Sequence, residues 1–351
     1  MTVCDAEIRA LRCINSFLEV FGTNINDFGL VDFDVIVNDA DVLASMILEE
    51  TTNINIQCDM HFIDNLNKEQ QSAYNVILDC VVSNKNGVFF IDGPGGTGKA
   101  FLYKVLLATV RSRQLIALAT ASSGVAASLL LTGRTGHSRF KIPLQASSDM
   151  RCSVSKQSSL GQLLQMTKLI VWDEALMINR YAFEVLDKML KDITECDLPF
   201  GGKVVVFEGD FRQVLPVVQR GTKDDIMKAS LVFSDLWQYF IQLPLTENMK
   251  AKLNPLFCKY LLRIGNGIER EHTCHMIKLP SDIIMDFESE FELLKKLIAI
   301  VFPNFHAYGD NLNIMMNIYE TWCIKKGQKV FVSTDIYRNL SSIYAHPIRR
   351  N

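Results

Sequence analysis

A glycine-rich run, Gly93-Pro94-Gly95-Gly96-Thr97-Gly98-Lys99, lies between a short apolar stretch and a helical pattern. Such a run can wrap backbone N–H groups around phosphate oxygens. Glycines let the amides turn inward, the following helix adds the positive potential of its N-terminus, and Lys99 offers a full charge to the β- and γ-phosphates. The next residue is Ala100, where a Ser or Thr hydroxyl would ordinarily reach a Mg2+ ion. Two more polar groups follow apolar runs. In Val171-Trp172-Asp173-Glu174, an aspartate can hold Mg2+ and the adjacent glutamate can polarise an attacking water. In Phe207-Glu208-Gly209-Asp210-Phe211-Arg212-Gln213, the glutamine can hydrogen-bond a γ-phosphate. Acidic pairs after strands are common, and the last segment alone would read as a polar turn. In this order they define a candidate nucleotide site, with ATP and Mg2+ as expected cofactors.

The elements that position these groups read as repeated βα units. Apolar runs at 88–91, 115–119, 169–172 and 204–207 have strand length, and 241–243 offers a fifth. Helical patterns fill the intervals at 101–110, 125–131 and 181–193. Fully apolar strands alternating with helices predict an α/β fold: a parallel sheet with helices on both faces, and active groups at the carboxyl ends of the strands. Three regions are expected: an acidic segment over 1–65, a domain of βα units over 66–250 and a more weakly patterned region over 251–351. Within the first, Ile8, Leu11, Ile14, Phe17 and Leu18 repeat at helical spacing.

Charge is distributed unevenly. Residues 1–98 carry 4 basic and 15 acidic side chains, whereas 99–156 carry 9 basic and one acidic. That asymmetry predicts a surface for a polyanion, against the plainer reading of a solvated face. The 9 cysteines are scattered without a Cys-x-x-Cys pair, which points to a reducing compartment rather than a disulfide frame. His272-Thr273-Cys274-His275 lacks a second ligand cluster for structural zinc. No apolar run is long enough to span a bilayer, and no secretory signal is visible.

Taken in order, the motifs resemble those of the PIF-type (petite integration frequency) DNA helicases of superfamily 1B, especially plant and Helitron-like members. The matching segments are 66–70 (Leu-Asn-Lys-Glu-Gln), the glycine loop, 120–127, 133–141, 172–175, 209–213 and 245–249. The resemblance implies a RecA-like P-loop NTPase domain that acts as an ATP-dependent, 5′-to-3′ DNA helicase. It further implies a nuclear location and work in repair, recombination or telomere maintenance. Protein partners are not indicated. By position, Gln70 would read the adenine, Asp173 and Glu174 would be the metal and water-activating pair, and Gln213 the γ-phosphate sensor. Single-stranded DNA would run past Thr120, Ser122, Ser123, His137, Arg139, Phe140 and Lys141, whose hydroxyl, ring and charged groups suit phosphates and bases. Core packing is the competing expectation for Phe140, and a solvated loop for Arg139 and Lys141.

The chain departs from the family pattern at four places. Ala100 lacks the metal-ligating hydroxyl, and Glu208 stands where the family usually has glycine. Lys250 replaces an arginine, keeping charge but losing the bidentate fork. No later helicase motif follows Lys250; the likeness fades through 261–267 and 300–304, and 327–332 offers only a lone strand. An incomplete second domain is therefore expected, and with it an alternative function: a degenerate, truncated ATP- or DNA-binding remnant with little turnover.

Overall fold

The computed structural model describes residues 25–29, 39–51, 60–143, 154–250 and 254–273, with a few isolated positions besides. The proposed helix around Ile8–Leu18 and the segments 300–304 and 327–332 lie outside them, apart from single helical positions at Leu11 and Ile14. The chain divides into two units, Met1–Met249 and Lys250–Asn351.

In chain order the first unit contains α1 (Asp39–Thr51), α2 (Lys68–Val82), β1 (Gly87–Asp92), α3 (Lys99–Ser112), β2 (Ile116–Ala121) and α4 (Gly124–Leu129). It continues with β3 (Arg134–Thr135), α5 (Gly136–Phe140), α6 (Ser159–Met166), β4 (Thr167–Asp173) and α7 (Arg180–Thr194). β5 (Val204–Gly209), α8 (Lys223–Ala229) and β6 (Phe240–Pro244) complete it. Six strands form one sheet in the order β3-β2-β4-β5-β1-β6, and every pairing is parallel. The expected α/β architecture is therefore present. The sequence reading missed α1, α2, α5, α6, α8 and the two-residue edge strand β3.

Strand residues alternate between two cores, as the period of a pleated strand requires. Val88 and Phe90 of β1 face one side, where they join Phe183, Leu186 and Leu190 of α7. Phe89 and Ile91 face the other and join Tyr74 and Ile77 of α2 and Leu102 and Leu106 of α3. Because both faces are covered, β1 and β5 read as continuous apolar runs. The parallel register brings Asp92, at the end of β1, level with Gly209 of β5. It brings Asp173 of β4 level with Ala121 of β2. The polar residues that follow these strands thus emerge along one edge of the sheet.

The second unit contributes α9 (Pro255–Gly265) and a short antiparallel pair, β7 (Glu271–Thr273) and β8 (Met276–Ile277). Asn254 caps α9 by accepting from the Phe257 amide, 3.1 Å away. Among the described residues, no helix is long and apolar enough to cross a membrane.

Candidate nucleotide site and nucleic-acid face

The glycine loop closes onto the N-terminus of α3 as the motif requires. Gly96 and Gly98 have φ of 90° and 79°, a region glycine enters without steric cost. A Cβ would also be obstructed at both: at Gly96 it would lie 2.6 Å from Asn248 Oδ1, and at Gly98 2.5 Å from Gln70 Nε2. Those two neighbours support the loop. Asn248 Nδ2 donates to Gly95 O at 3.0 Å, and the Met249 amide donates to Gly96 O at 2.8 Å. Gln70 Nε2 donates to Thr97 O at 2.9 Å, while Gln70 Oε1 accepts from the Asn67 amide in a capping box. Gln70 is thus buried, and both ends of its amide engage the protein. Glu69 ties the segment after β6 to α2 by accepting from the amides of Thr246 and Glu247, at 2.6 and 3.2 Å. The buttressing by Asn248 and Glu69 was not foreseen; its traces in sequence were the matches at 66–70 and 245–249.

Lys99 is buried, and its ammonium donates to Gly93 O, more distantly to Pro94 O at 3.4 Å, and pairs with Glu208 Oε1 at 3.0 Å. Burial opposes the charge, but Glu208 outweighs it, helped by Asp210 and Glu174, and holds the Lys99 pKa above its ordinary value. Glu208 Oε2 also accepts from the Glu174 amide at 3.1 Å, and its carboxylate shares a hydrogen bond with Asp173. Burial, the Glu208 charge and that hydrogen bond push the Asp173 carboxyl well above the usual range. Although burial acts against its charge, Glu208 itself is held below its ordinary value by Lys99 and the bond from Asp173. Glu174 is pushed up to about 7 by burial and then by Glu208. It also adopts a left-handed backbone, φ 54°, an uncommon state for glutamate that often accompanies functional sites. Beside this group, Gln213 Nε2 donates to Asp210 Oδ2 at 2.9 Å, and Arg212 pairs with Asp210 at 3.1 Å. The structure therefore brings together Gly93 to Lys99, Gln70, Asp173, Glu174 and Gln213. Lys250, the first residue of the second unit, is exposed.

The implied Mg2+ does not fit the residues as arranged. Ala100 offers no oxygen donor, and Asp173 is engaged with Glu208. Among the described residues no three His, Cys, Asp or Glu side chains form a group that could hold a metal ion. Mg2+ at such sites leans on one or two protein oxygens besides phosphates and waters, and here the hydroxyl is missing and Asp173 is occupied by Glu208.

Several of the residues expected to contact DNA are drawn into the protein's own packing. Phe140 is fully buried and stacks on Trp172 with ring centroids 5.6 Å apart, so core packing prevails. Thr120 is buried within β2. Arg139 is buried too: it pairs with Glu50 of α1 and donates to Ala119 O at 3.2 Å and Thr132 O at 2.6 Å. Ser122 accepts from Trp172 Nε1 at 3.0 Å, and Ser123 caps α4 by accepting from the Ala126 amide at 3.1 Å. His137 Nδ1 lies 3.2 Å from Ile142 O, and burial lowers its pKa. Of the expected set, Ser122, Ser123, His137 and Lys141 remain partly exposed. The charge asymmetry also has an internal explanation. Arg111 and Arg139 meet Glu50, Arg134 meets Glu49 at 2.6 Å, and Lys99 meets Glu208. Much of the basic stretch is neutralised by this chain's own carboxylates.

Comparison with known proteins identifies the family. The family model described as PIF1-like helicase matches residues 65–274. An ATP-dependent DNA helicase Pif1 from Psychrobacter sp. is 33% identical over 146 residues, 41% of this chain and 22% of the relative. The ATP-dependent DNA helicase PIF1 of Danio rerio is 32% identical over 225 residues, 62% of this chain and 33% of the relative. A Pif1 helicase from Bacteroides, solved in complex with ADP-AlF3 and ssDNA, shares the fold with a TM-score of 0.50 at 24% identity. That match covers 68% of this chain and 57% of the other. The chain spans between a fifth and a third of the length of these two curated relatives. With its glycine loop, its acidic pair and a family match over more than half its length, the chain belongs to the PIF1-like helicase family.

Proposed function

We propose that this chain is the ATP-binding motor unit of an ATP-dependent DNA helicase that uses ATP to move along single-stranded DNA. The observation that carries the reading is the convergence of Lys99, Asp173, Glu174 and Gln213 at the carboxyl ends of neighbouring parallel strands. The N-terminus of α3 and the Lys99 ammonium would take the terminal phosphates. Glu174, with a pKa near neutrality, is suited to accept a proton from the attacking water. Gln213 would sense the γ-phosphate, and Gln70, packed beneath the loop, would link adenine binding to loop position. The 5′-to-3′ direction, a nuclear location and roles in repair, recombination and telomere maintenance rest on family resemblance. Ser122, Ser123, His137 and Lys141 are the residues proposed to face DNA.

Ala100 and the Asp173–Glu208 bond favour a second reading, in which ATP is bound but turned over slowly. Phosphate release with and without single-stranded DNA separates the two. Robust DNA-stimulated release abolished by Glu174→Gln sinks the slow-turnover reading; release that is absent or insensitive to Glu174→Gln sinks the motor. DNA binding is tested by salt titration, where each neutralised phosphate adds about −0.7 to the slope of log K on log salt. A flat response excludes the proposed DNA face.

A further inference from the structure

We infer that Glu208 is a built-in competitor for the terminal phosphate, and that it determines how far this site distinguishes a nucleoside triphosphate from a diphosphate. The inference rests on the reading that Lys99 receives nucleotide phosphates.

A lysine ammonium has three donors and no acceptor. Here it engages Gly93 O, Pro94 O and the Glu208 carboxylate. The carboxylate is the anionic partner among the three, so a phosphate seeking the same charge meets Glu208 directly. Its position locates the competition on the γ side. Glu208 contacts Lys99, the amide of Glu174 and the carboxyl of Asp173, the groups assigned to the terminal phosphate and the attacking water.

The Glu208 carboxylate is held by the Glu174 amide at 3.1 Å and by its hydrogen bond with Asp173. Glu208 is buried within β5, where its backbone pairs with Ile91 of β1. Gly209, which follows, lies under Leu176, so close that a Cβ there would come 2.4 Å from Leu176 Cγ. A γ-phosphate therefore either shares Lys99 with a fixed carboxylate or stops short of it. In both cases it gains little from the contact that should favour ATP over ADP. A β-phosphate, held mainly by loop amides, is less affected.

The test is calorimetric titration of ATP and ADP, in metal-free buffer so that no turnover occurs, into the wild-type chain, Glu208→Gln and Lys99→Ala. Glutamine retains an acceptor for the Glu174 amide but removes the charge. We expect the wild-type chain to bind ATP and ADP within about threefold of each other. Glu208→Gln should tighten ATP at least tenfold, about 1.4 kcal/mol, and ADP by less than threefold. If ATP affinity is unchanged in Glu208→Gln but is lost in Lys99→Ala, the inference fails and the phosphate-site reading stands. If neither wild type nor Glu208→Gln binds ATP, both fail. The wild-type chain alone gives a check independent of how the variant folds: a tenfold or greater preference for ATP over ADP overturns the inference.

Discussion

Glu50 offers a severe test of how the acidic N-terminal region is joined to the motor. It lies near the end of α1 and is 2% exposed. Its Oε2 accepts from Arg111 Nη2 and from Thr132 Oγ1, each at 2.8 Å, and its Oε1 accepts from Arg139. Both arginines are themselves buried. Burial lowers their pKa values, while the Glu50 charge acts to keep them ionised. Backbone carbonyls supply further acceptors, Ala117 O to Arg111 and Ala119 O to Arg139, and among the described residues Glu50 is the carboxylate that pairs with Arg111. In Glu50→Gln an amide would replace the carboxylate, pointing N–H donors at N–H donors and leaving two buried cations without their shared anion. Breaking a buried pair from one side costs roughly 3–5 kcal/mol. For a unit of this size, each kcal/mol lowers Tm by about 2–4 °C, so a fall of roughly 6–20 °C is expected. Urea denaturation followed by tryptophan fluorescence measures the change. Apolar replacement of Glu50 and both arginines together should recover part of the loss, because the desolvation cost then vanishes. A loss below about 1 kcal/mol in Glu50→Gln refutes the reasoning, since it would mean that the two guanidinium groups do not depend on α1.

Three other outcomes follow from packing and charge. Phe140→Ala should cost about 3–5 kcal/mol, because it empties a fully buried site beside Trp172; a change near zero by denaturation would return Phe140 to the surface. Gly136→Ala should destabilise by about 1–3 kcal/mol, since its Cβ would lie 2.2 Å from the Trp172 ring, and an unchanged Tm would contradict that contact. Lys203 donates to Gln165 O and Thr167 O, and burial, with Lys168 adding, pushes its pKa down to about 8 from 10.5. The unfolded chain then binds more protons between pH 8 and 10.5, so Lys203 makes stability rise with pH across that window. The gain, of order 1–3 kcal/mol, should be missing in Lys203→Met when the two are compared by denaturation at pH 7.5 and 10; equal pH dependence would refute it.

The parallel sheet was legible because β1, β2, β4 and β5 are buried on both faces and so appear as unbroken apolar runs. β3 was not: two residues, Arg134 and Thr135, carry no period, and their pairing with β2 is a tertiary fact. The nucleotide loop was readable because its chemistry is local, with glycines and lysine in one short segment. Its supports were hidden, since Asn248 and Glu69 reach it across about 150 residues or join segments nearly 180 residues apart. The burial of Arg139 and Phe140 was hidden for a related reason. Arg139 and Phe140 have side chains suited to a nucleic acid, but type alone does not reveal Glu50 from α1 or the Trp172 ring. Glu208 stood out in the sequence as an unusual residue, yet only the folded geometry pairs it with Lys99.

The central claim, that the glycine loop and Lys99 form a site for ATP, is tested most directly by equilibrium binding of ATP to the purified chain and to Lys99→Ala. Removing Lys99 leaves the buried Glu208 carboxylate unopposed beside the phosphates, which predicts saturable binding by the wild-type chain that weakens at least about 10-fold, or about 1.4 kcal/mol, in the variant. Equal binding by the two proteins, or none by the wild-type chain, contradicts it.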